Sequence, residues 1–233
     1  MELAYFTCFF GGDNNYSNMI PSVPSTTPST APCYFFTNNR AVYDRLESTG
    51  FRRIFVDSIP IYNDPIKDSE SAKELRACPH HFPVLAPYKY LCWHDSKLNL
   101  FEEKVLSAKR ILARTEKSFA LTKHAYSARF SSVWDEYNLC IGVEKYGKQK
   151  EQYKAYIEKK LAAGFSEHID IHYCVGFMLI KQGPLARLIG EYWYANIKEC
   201  GIEDQISFDF VNQKYGEFIH PLEYQETWKY CFE

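Results

Sequence analysis

A single carboxylate at the end of an apolar stretch is the first feature of this sequence with chemical meaning. Residues 88–94 read Tyr-Lys-Tyr-Leu-Cys-Trp-His, and Asp95 follows them. Such a run is typical of a strand that is covered on both faces of a sheet. Ligands of open α/β sheets bind at the carboxyl ends of strands, where a carboxylate can hold a divalent cation against a phosphate. The pattern predicts either a metal ligand at Asp95 or a polar turn through which the strand leaves the core.

Two basic side chains could serve the same chemistry from a helix. Residues 68–78 are predicted to be helical, with Asp68 or Ser69 as the N-cap, and Lys73 and Arg76 lie three residues apart within them. This spacing places both cations on one helix face, so both could reach the same phosphate groups. The alternative is an ordinary solvated helix face.

A second acidic pair follows Gly201. Glu203 and Asp204 open an apolar segment that is predicted to be helical as far as Tyr215. A carboxylate at this position could take a proton from a hydroxyl as a general base, and we select Asp204 for that role with Glu203 as the alternative. An N-cap is the simpler interpretation of Asp204, because aspartate is common at helix starts.

Composition excludes several classes of protein. The chain has 233 residues, of which 27 are basic and 29 acidic, and this near balance does not predict binding to nucleic acid. The eight cysteines show no metal-ligand spacing, and several lie in apolar runs. They indicate a reducing compartment, so we expect a cytoplasmic protein. The N-terminus has no basic segment typical of a signal peptide, and no apolar run is long enough for a membrane span.

Alternating strand and helix patterns predict an α/β fold with a mixed, mostly parallel sheet flanked by helices in one domain. We predict strands at 2–10, 33–36, 53–57, 88–94, 118–122, 171–180 and 218–220. We predict helices at 68–78, 102–117, 184–201 and 205–215, a helical turn at 41–49 and a mostly helical segment at 133–163. The first 100 or so residues would form a nucleotide-binding half. Motifs of the types GxGxxG, GxxxxGK[ST], GxSxG and HExxH do not occur, which argues against dinucleotide dehydrogenases, P-loop NTPases, α/β-hydrolases and zincins.

Several short segments in a fixed order resemble one family of enzymes. They are AYFTCFFGGDN (4–14), YFFTNN (34–39), SAKELRACPHHF (71–82), YKYLCWHDSKLNL (88–100), KHAYSARFSSVWDEY (123–137) and EDQISFDFV (203–211). Together they resemble glycosyltransferases of the GT-A fold. The similarity is greatest to a small glycosyltransferase-like family that is found in plants, bacteria and large viruses. Trp93-His94-Asp95 stands where GT-A enzymes usually have Asp-x-Asp, so only the last carboxylate is kept.

The resemblance implies roles for further residues. It implies that Asp95 binds Mn²⁺ or Mg²⁺ against the diphosphate, while His94 points to the opposite face and packs. The donor nucleotide would be contacted by Thr7, Phe9, Gly11, Thr37, Asn38, Asp57, Lys73 and Arg76. The donor sugar or the acceptor would be contacted by His124, Arg129, Glu136 and Gly176. For three of these a structural role is the alternative: Phe9 in the core, His124 as a packed histidine, and Gly176 at a bulge.

The implied reaction is transfer of a sugar from a nucleoside-diphosphate sugar, with a UDP-sugar favoured, to a hydroxyl of a carbohydrate acceptor. Residues 101–233 would form the acceptor-binding half. Two alternatives stay open on the sequence: a nucleotidyltransferase or sugar-nucleotide pyrophosphorylase, and a non-catalytic carbohydrate-binding module, which the 17% aromatic content would also suit.

Overall fold

The computed structural model describes residues 1–12, 31–95, 102–125 and 127–223. The strands are β1 (Leu3–Phe9), β2 (Cys33–Thr37), β3 (Arg52–Phe55), β4 (Tyr90–His94), β5 (Phe119–Lys123), β6 (Tyr173–Lys181) and β7 (Ile219–Leu222). They form a seven-stranded sheet of order β3-β2-β1-β4-β6-β5-β7. Neighbouring strands are parallel except where β6 pairs with β4 and with β5. The sheet is therefore mixed and mostly parallel, as the sequence predicted.

Helices cover both faces of the sheet. They are α1 (Arg40–Arg45), α2 (Pro65–Ala77), α3 (Glu102–Ala113), α4 (Val133–Cys140), α5 (Glu144–Gly147), α6 (Lys150–Ala162), α7 (Pro184–Cys200) and α8 (Asp204–Tyr215). In the described ranges, no helix combines the length and the apolar character that a membrane crossing needs.

Alternation along the strands sorts the buried side chains into two cores. Phe6, Trp93 and Met178 point to the face that packs against α2, α7 and α8. Tyr5, Phe9 and Tyr90 point to the opposite face, which packs against α1 and α3. A third apolar cluster joins α4, α6 and α8. Because successive strand side chains alternate, a side chain two residues after Trp93 is directed toward α2 and α8.

The predicted start of one helix was wrong, and local chemistry explains the difference. Helix α2 begins at Pro65 rather than at residue 68, because the Asp64 carboxylate accepts from the amides of Ile66 and Lys67 at 2.8 and 3.4 Å. A proline at the first helical position suits that start. Residues 133–163 are mostly helical, as predicted, and they form the three helices α4, α5 and α6. A Cβ at Gly147 would lie 2.8 Å from the carbonyl oxygen of Ile141, so the chain folds back tightly between α4 and α6.

Candidate active site

Asp95 lies at the carboxyl end of β4, on the sheet face that α2 covers. Its backbone amide donates to the carbonyl of Gly176 at 2.8 Å, and its side chain is 28% exposed. His94 points to the opposite face, where it is fully buried. Burial lowers the pKa of His94 to about 4, so the ring is neutral and packs, as the sequence predicted. Asp95 is thus the side chain of the Trp-His-Asp segment that solvent reaches.

A bulge in β6 shapes the backbone beside Asp95. Leu121 of β5 pairs with Met178, yet the next residue, Thr122, pairs with Cys174. The three residues between them therefore have no register partner on β5. Two of their carbonyls turn toward the site: Gly176 accepts from the amide of Asp95, and Val175 accepts from Arg76 at 3.3 Å. Gly176 lies at a bulge, which is a recurrent device next to active sites.

Arg76 is the central cation of the site. Its guanidinium is 4% exposed and contacts the carboxylate of Asp204, while a second nitrogen lies 3.8 Å from Asp95. The rings of Trp93 and Trp193 lie 5.7 and 5.4 Å from its carbon Cζ. Burial lowers the pKa of Arg76, and the charges of Asp95 and Glu203 oppose that change. Helix α2 thereby joins β4 to α8 through one buried charge.

Lys73 binds the same aspartate from one turn earlier on α2. Its ammonium group lies 3.0 Å from Asp204, which is 2% exposed. Lys73 and Arg76 share one helix face, as their spacing predicted, but that face is turned to α8 and pairs with Asp204. Their predicted contact with phosphates stays a prediction.

Glu203 caps α8 and has a different environment from Asp204. Its carboxylate accepts from the amide of Gln205 at 3.3 Å. Burial, and then the charge of Glu136, raise the pKa of Glu203 above its usual value, although Lys73 opposes this. The N-cap is therefore Glu203, and Asp204 is the first helical residue. Burial thus raises the affinity of the Glu203 carboxylate for a proton.

A buried histidine between two carboxylates adjoins Glu203. His172 contacts Glu136 through Nε2 and Asp209 through Nδ1, each at 3.1 Å. Phe130 stacks on the imidazole with ring centroids 4.4 Å apart, and His124 lies 5.3 Å from it. Burial alone would lower the pKa of His172, but Asp209 and Glu136 outweigh it and raise the value to about 10. Burial also lowers the pKa of His124, so the two rings differ in charge.

The ends of β1 and β2 are tied together by side-chain amides. Asn38 accepts from the amide of Gly11 at 3.0 Å and donates to the carbonyls of Ile59 and Pro60. Asn39 donates to the carbonyl of Gly11 and caps α1. Gly11 has φ +139°, which favours glycine, and a Cβ there would lie 3.2 Å from an oxygen of Asp68. Asn38 thus uses both of its amide hydrogens within the protein and holds the strand ends in place.

Other predicted residues lie apart from Asp95. Thr7 and Phe9 alternate onto the α1 and α3 side of the sheet, where Phe9 is part of the core. The hydroxyl of Thr37 accepts from the amide of Asn39 at 3.1 Å. Asp57 is exposed in the turn after β3, and Arg129 is exposed in a short helical turn before α4. The structure brings together Asp95, Arg76, Lys73, Asp204, Glu203, Glu136 and Gly176.

An open cleft of about 530 Å³ lies between the start of α2 and α5. Asp64, Pro65, Lys145 and Lys148 are among the residues that line it. Burial, and then the charges of Glu203 and Asp95, raise the pKa of Tyr146, so this side chain of α5 lies near both carboxylates. A cleft of this size suits a small-molecule ligand.

Comparison with protein families decides the class. The family model described as TOD1/MUCI70, glycosyltransferase-like domain, matches residues 31–226. The chain belongs to this family. No curated protein sequence is similar enough to count as a match.

The solved structures show that this glycosyltransferase-like domain has the GT-A fold. Mouse xyloside xylosyltransferase 1 in its apo form superposes with a TM-score of 0.51 at 11% identity, over 95% of this chain and 85% of that one. The apo structure of the bifunctional glycosyltransferase WbbM gives 0.50 at 10% identity, over 95% of this chain and 38% of that one.

Sequence reasoning did not single out His172 or Asp209 in this glycosyltransferase-like domain. His172 stands at the start of an apolar strand, and Asp209 lies within an apolar helix. The sequence does carry one signal, which is the charged Asp209 inside an apolar helix. Charged residues are rarely buried without a partner, so a partner for Asp209 is expected. The partner itself comes from a distant strand, which one sequence does not reveal.

The ion pairs of Asp204 lead to a stability prediction. We expect Asp204→Asn to lower the free energy of unfolding by roughly 3–5 kcal/mol, because it leaves Arg76 and Lys73 without their shared carboxylate. Urea denaturation measures this. The control is Glu47→Gln, which removes an exposed pair with Arg53 at 2.9 Å and should cost less than about 1 kcal/mol. Equal, small losses in both variants would show that the buried pair is not stabilising.

The pKa of His172 leads to a pH prediction. A folded-state pKa of about 10 lies above the ordinary value of 6.5, so the charged ring stabilises the fold fully below about pH 6.5. That contribution is lost as the pH rises toward 10. We expect the free energy of unfolding to fall between pH 7 and 9 in the natural protein, and to fall less in His172→Gln. Parallel pH profiles of the two proteins would contradict this assignment.

Proposed function

We propose that this chain transfers a sugar from a nucleoside-diphosphate sugar to a hydroxyl of a carbohydrate acceptor, with a divalent cation bound at Asp95 and a UDP-sugar as the favoured donor. The family and the fold support sugar transfer in general. The observation that carries the finer proposal is the asymmetry of the carboxylates at the sheet edge. Asp204 is enclosed by two cations, whereas Asp95 is half-buried, faces solvent and has Arg76 at 3.8 Å.

The residues at this edge fit Mn²⁺ or Mg²⁺. These cations prefer oxygen ligands and are usually held by one or two carboxylates together with substrate phosphates and water. Asp95 supplies one carboxylate, whose ion pair with Arg76 is long at 3.8 Å and whose side chain solvent reaches. A cation held by Asp95 would supply positive charge that stabilises a departing diphosphate. Arg76 and Lys73 stand next to the same place, where they add positive potential for a departing diphosphate.

A carboxylate would activate the acceptor hydroxyl if the reaction inverts. Asp204 and Glu203 are the two candidates, and their surroundings separate them. Lys73 and Arg76 stabilise the ionised form of Asp204, which weakens it as a base. The raised pKa of Glu203 strengthens it as a base, so we propose Glu203 for proton transfer and Asp204 for positioning Lys73 and Arg76.

The remaining predicted contacts complete the proposal. Gly11, Thr37 and Asn38 would shape the nucleotide site through their hydrogen bonds at the strand ends, and Asp57 is the candidate for the ribose. We propose His124, Arg129, Glu136 and Gly176 as contacts of the sugar or the acceptor. A cytoplasmic location stays a prediction.

Asp95→Asn tests the proposal. With Mn²⁺ and a panel of UDP- and GDP-sugars, we expect the natural protein to gain thermal stability and to release nucleoside diphosphate slowly even without an acceptor. A ligand at a hundred times its dissociation constant adds about 2.7 kcal/mol of stability. The variant should lose the Mn²⁺-dependent part of both signals, with turnover at least roughly 100-fold lower, because metal stabilisation is worth several kcal/mol.

Asp170→Asn is the matched control, because Asp170 is an exposed aspartate that pairs with His168. It should behave like the natural protein. Release of pyrophosphate from a nucleoside triphosphate and a sugar phosphate would instead show a nucleotidyltransferase. Sugar binding that is indifferent to Mn²⁺ and unchanged in Asp95→Asn would show a non-catalytic binding module.

Glu203→Gln tests the base. We expect kcat to fall by about 10²- to 10⁴-fold with the donor KM unchanged. In the natural protein the rate should decline on the acid side at a pH above the ordinary glutamate pKa of 4.5, and the variant should lack that decline. Glu158→Gln alters an exposed glutamate of α6, away from the cleft, and serves as the control. An unchanged pH profile in Glu203→Gln would remove this residue from proton transfer.

A further inference from the structure

A group of metal-ligating side chains lies where the C-terminal end of α2 meets α7. Cys78 caps the C-terminus of α2, and His80 and His81 lie in the short helical turn that follows. Glu191 comes from α7. One ligand atom from each of these four residues lies within 4.8 Å of the other three. None of the four belongs to the set that surrounds Asp95, so this cluster has no role in the proposed transfer reaction.

The two imidazoles converge on one carboxylate oxygen. The Nε2 atoms of His80 and His81 lie 2.9 and 2.7 Å from the same Oε1 atom of Glu191. Cys78 is fully buried at the back of the cluster, whereas His80, His81 and Glu191 have side-chain exposures of 16, 38 and 49%. The cluster is therefore closed on the protein side and accessible from solvent, which gives an ion a path of entry.

Local backbone features produce this convergence. A Cβ at Gly190 would lie 2.2 Å from the carbonyl oxygen of Ala77, so glycine permits α7 to approach the end of α2 very closely. That approach places Glu191, the next residue, beside Cys78. Pro79 begins the helical turn, and the rings of His80 and His81 lie 4.6 Å apart on it. The sequence Cys-Pro-His-His thus presents three ligands from one turn to a fourth on another helix.

The chemistry of these ligands favours Zn²⁺. A thiolate, two imidazoles and a carboxylate are ligands that zinc takes in four-coordinate tetrahedral sites, whereas Mg²⁺ and Mn²⁺ prefer oxygen. Zinc bonds of about 2.0–2.3 Å place tetrahedral ligand atoms about 3.3–3.8 Å apart. The Nε2 atoms of His80 and His81 would move away from Glu191 Oε1, and the more widely spaced ligand atoms would move together, by about 1 Å or less. Zinc also deprotonates a coordinating thiol.

An outer carboxylate orients one of the histidines. Nδ1 of His81 lies 3.1 Å from Glu74 Oε1, while its Nε2 faces the cluster. A histidine that ligates a metal through one nitrogen commonly gives the N–H of the other to a carboxylate. Glu74 belongs to α2, one turn before Cys78, and also accepts from the hydroxyl of Tyr194 at 3.3 Å. The surroundings of His81 are thus those of a ligand with its supporting partner.

We propose that Cys78, His80, His81 and Glu191 bind one Zn²⁺ in a structural site that cross-links α2 to α7. The cross-link would matter for the active site indirectly. Helix α2 carries Lys73 and Arg76, and α7 packs on α8, which begins at Asp204. Zinc would hold α2 and α7 in a fixed relative position. Because α7 packs on α8, this would also keep Lys73 and Arg76 close to Asp204.

Metal content and cobalt spectroscopy of the full chain test the site. Protein purified without added metal should contain one zinc per chain by elemental mass spectrometry. Removal with a chelator should lower the Tm, and added ZnCl₂ should restore it. Replacement with Co²⁺ should give the visible absorption of a tetrahedral site together with a thiolate charge-transfer band. His81→Asn and Glu191→Gln change partly exposed side chains and should lose tight zinc binding, and Glu74→Gln should weaken it by about 10- to 100-fold.

Matched controls separate this site from adventitious binding. His168→Asn and Cys174→Ser change a histidine and a cysteine outside the cluster and should keep the zinc, as should Asp95→Asn. If the Cys78→Ser variant folds, its zinc content tests the buried ligand directly. In the natural protein the cobalt thiolate band tests the same ligand. The proposal is overturned if the natural protein binds no zinc tightly, if the ligand variants keep it, or if the cobalt form lacks the thiolate band. The four side chains would then be a network of hydrogen bonds and ion pairs alone.

Discussion

The compensation of the buried charge of Arg76 is the constraint on which this site depends. A buried cation costs several kcal/mol unless it is paired and hydrogen-bonded. Arg76 meets this requirement with carboxylates from two different elements, Asp95 after β4 and Asp204 at the start of α8, and with the carbonyl of Val175 in the β6 bulge. The two aspartates belong to segments far apart in the chain. Helix α2, the bulge and α8 must all be in place before the charge is satisfied, so the fold and the site form together.

This compensation also leaves the site close to electrical balance. Lys73 and Arg76 carry two positive charges, and Asp95 and Asp204 carry two negative ones. A divalent cation alone would add uncompensated positive charge next to Arg76, and a diphosphate alone would add negative charge next to Asp95. The charges of the cation and the diphosphate largely cancel when both are present. This edge of the sheet therefore suits the pair better than it suits the cation or the diphosphate alone.

The sequence predicted those parts of the site that depend on one element at a time. Apolar runs located the strands, and the end of one run located Asp95. The sequence did not predict pairings between distant elements. His172 contacts Asp209 only because β6 lies against α8. The face of the sheet that receives the side chains of α2 was also not predictable from the sequence. Alternation shows that Thr7 and Phe9 share a face, but which face receives Arg76 depends on where α2 packs. The start of α2 was a local error, since Asp64-Pro65 is a stronger start signal than Asp68.

Strand order explains why a chain without a glycine-rich phosphate motif still builds its site at this edge. From β1 the chain moves outward through β2 to β3, and then returns to place β4 on the other side of β1. Ligands of open α/β sheets bind where the order reverses in this way, at the carboxyl ends of the two strands that flank the crevice. Those ends are Gly11 after β1 and Asp95 after β4. The antiparallel β6 lies next to β4 and contributes backbone carbonyls from its bulge, so the crevice is bordered by a parallel pair on one side and by a distorted strand on the other. The topology of the sheet thus supplies the crevice itself, so the proposed cation site needs few side chains beyond the half-buried carboxylate of Asp95.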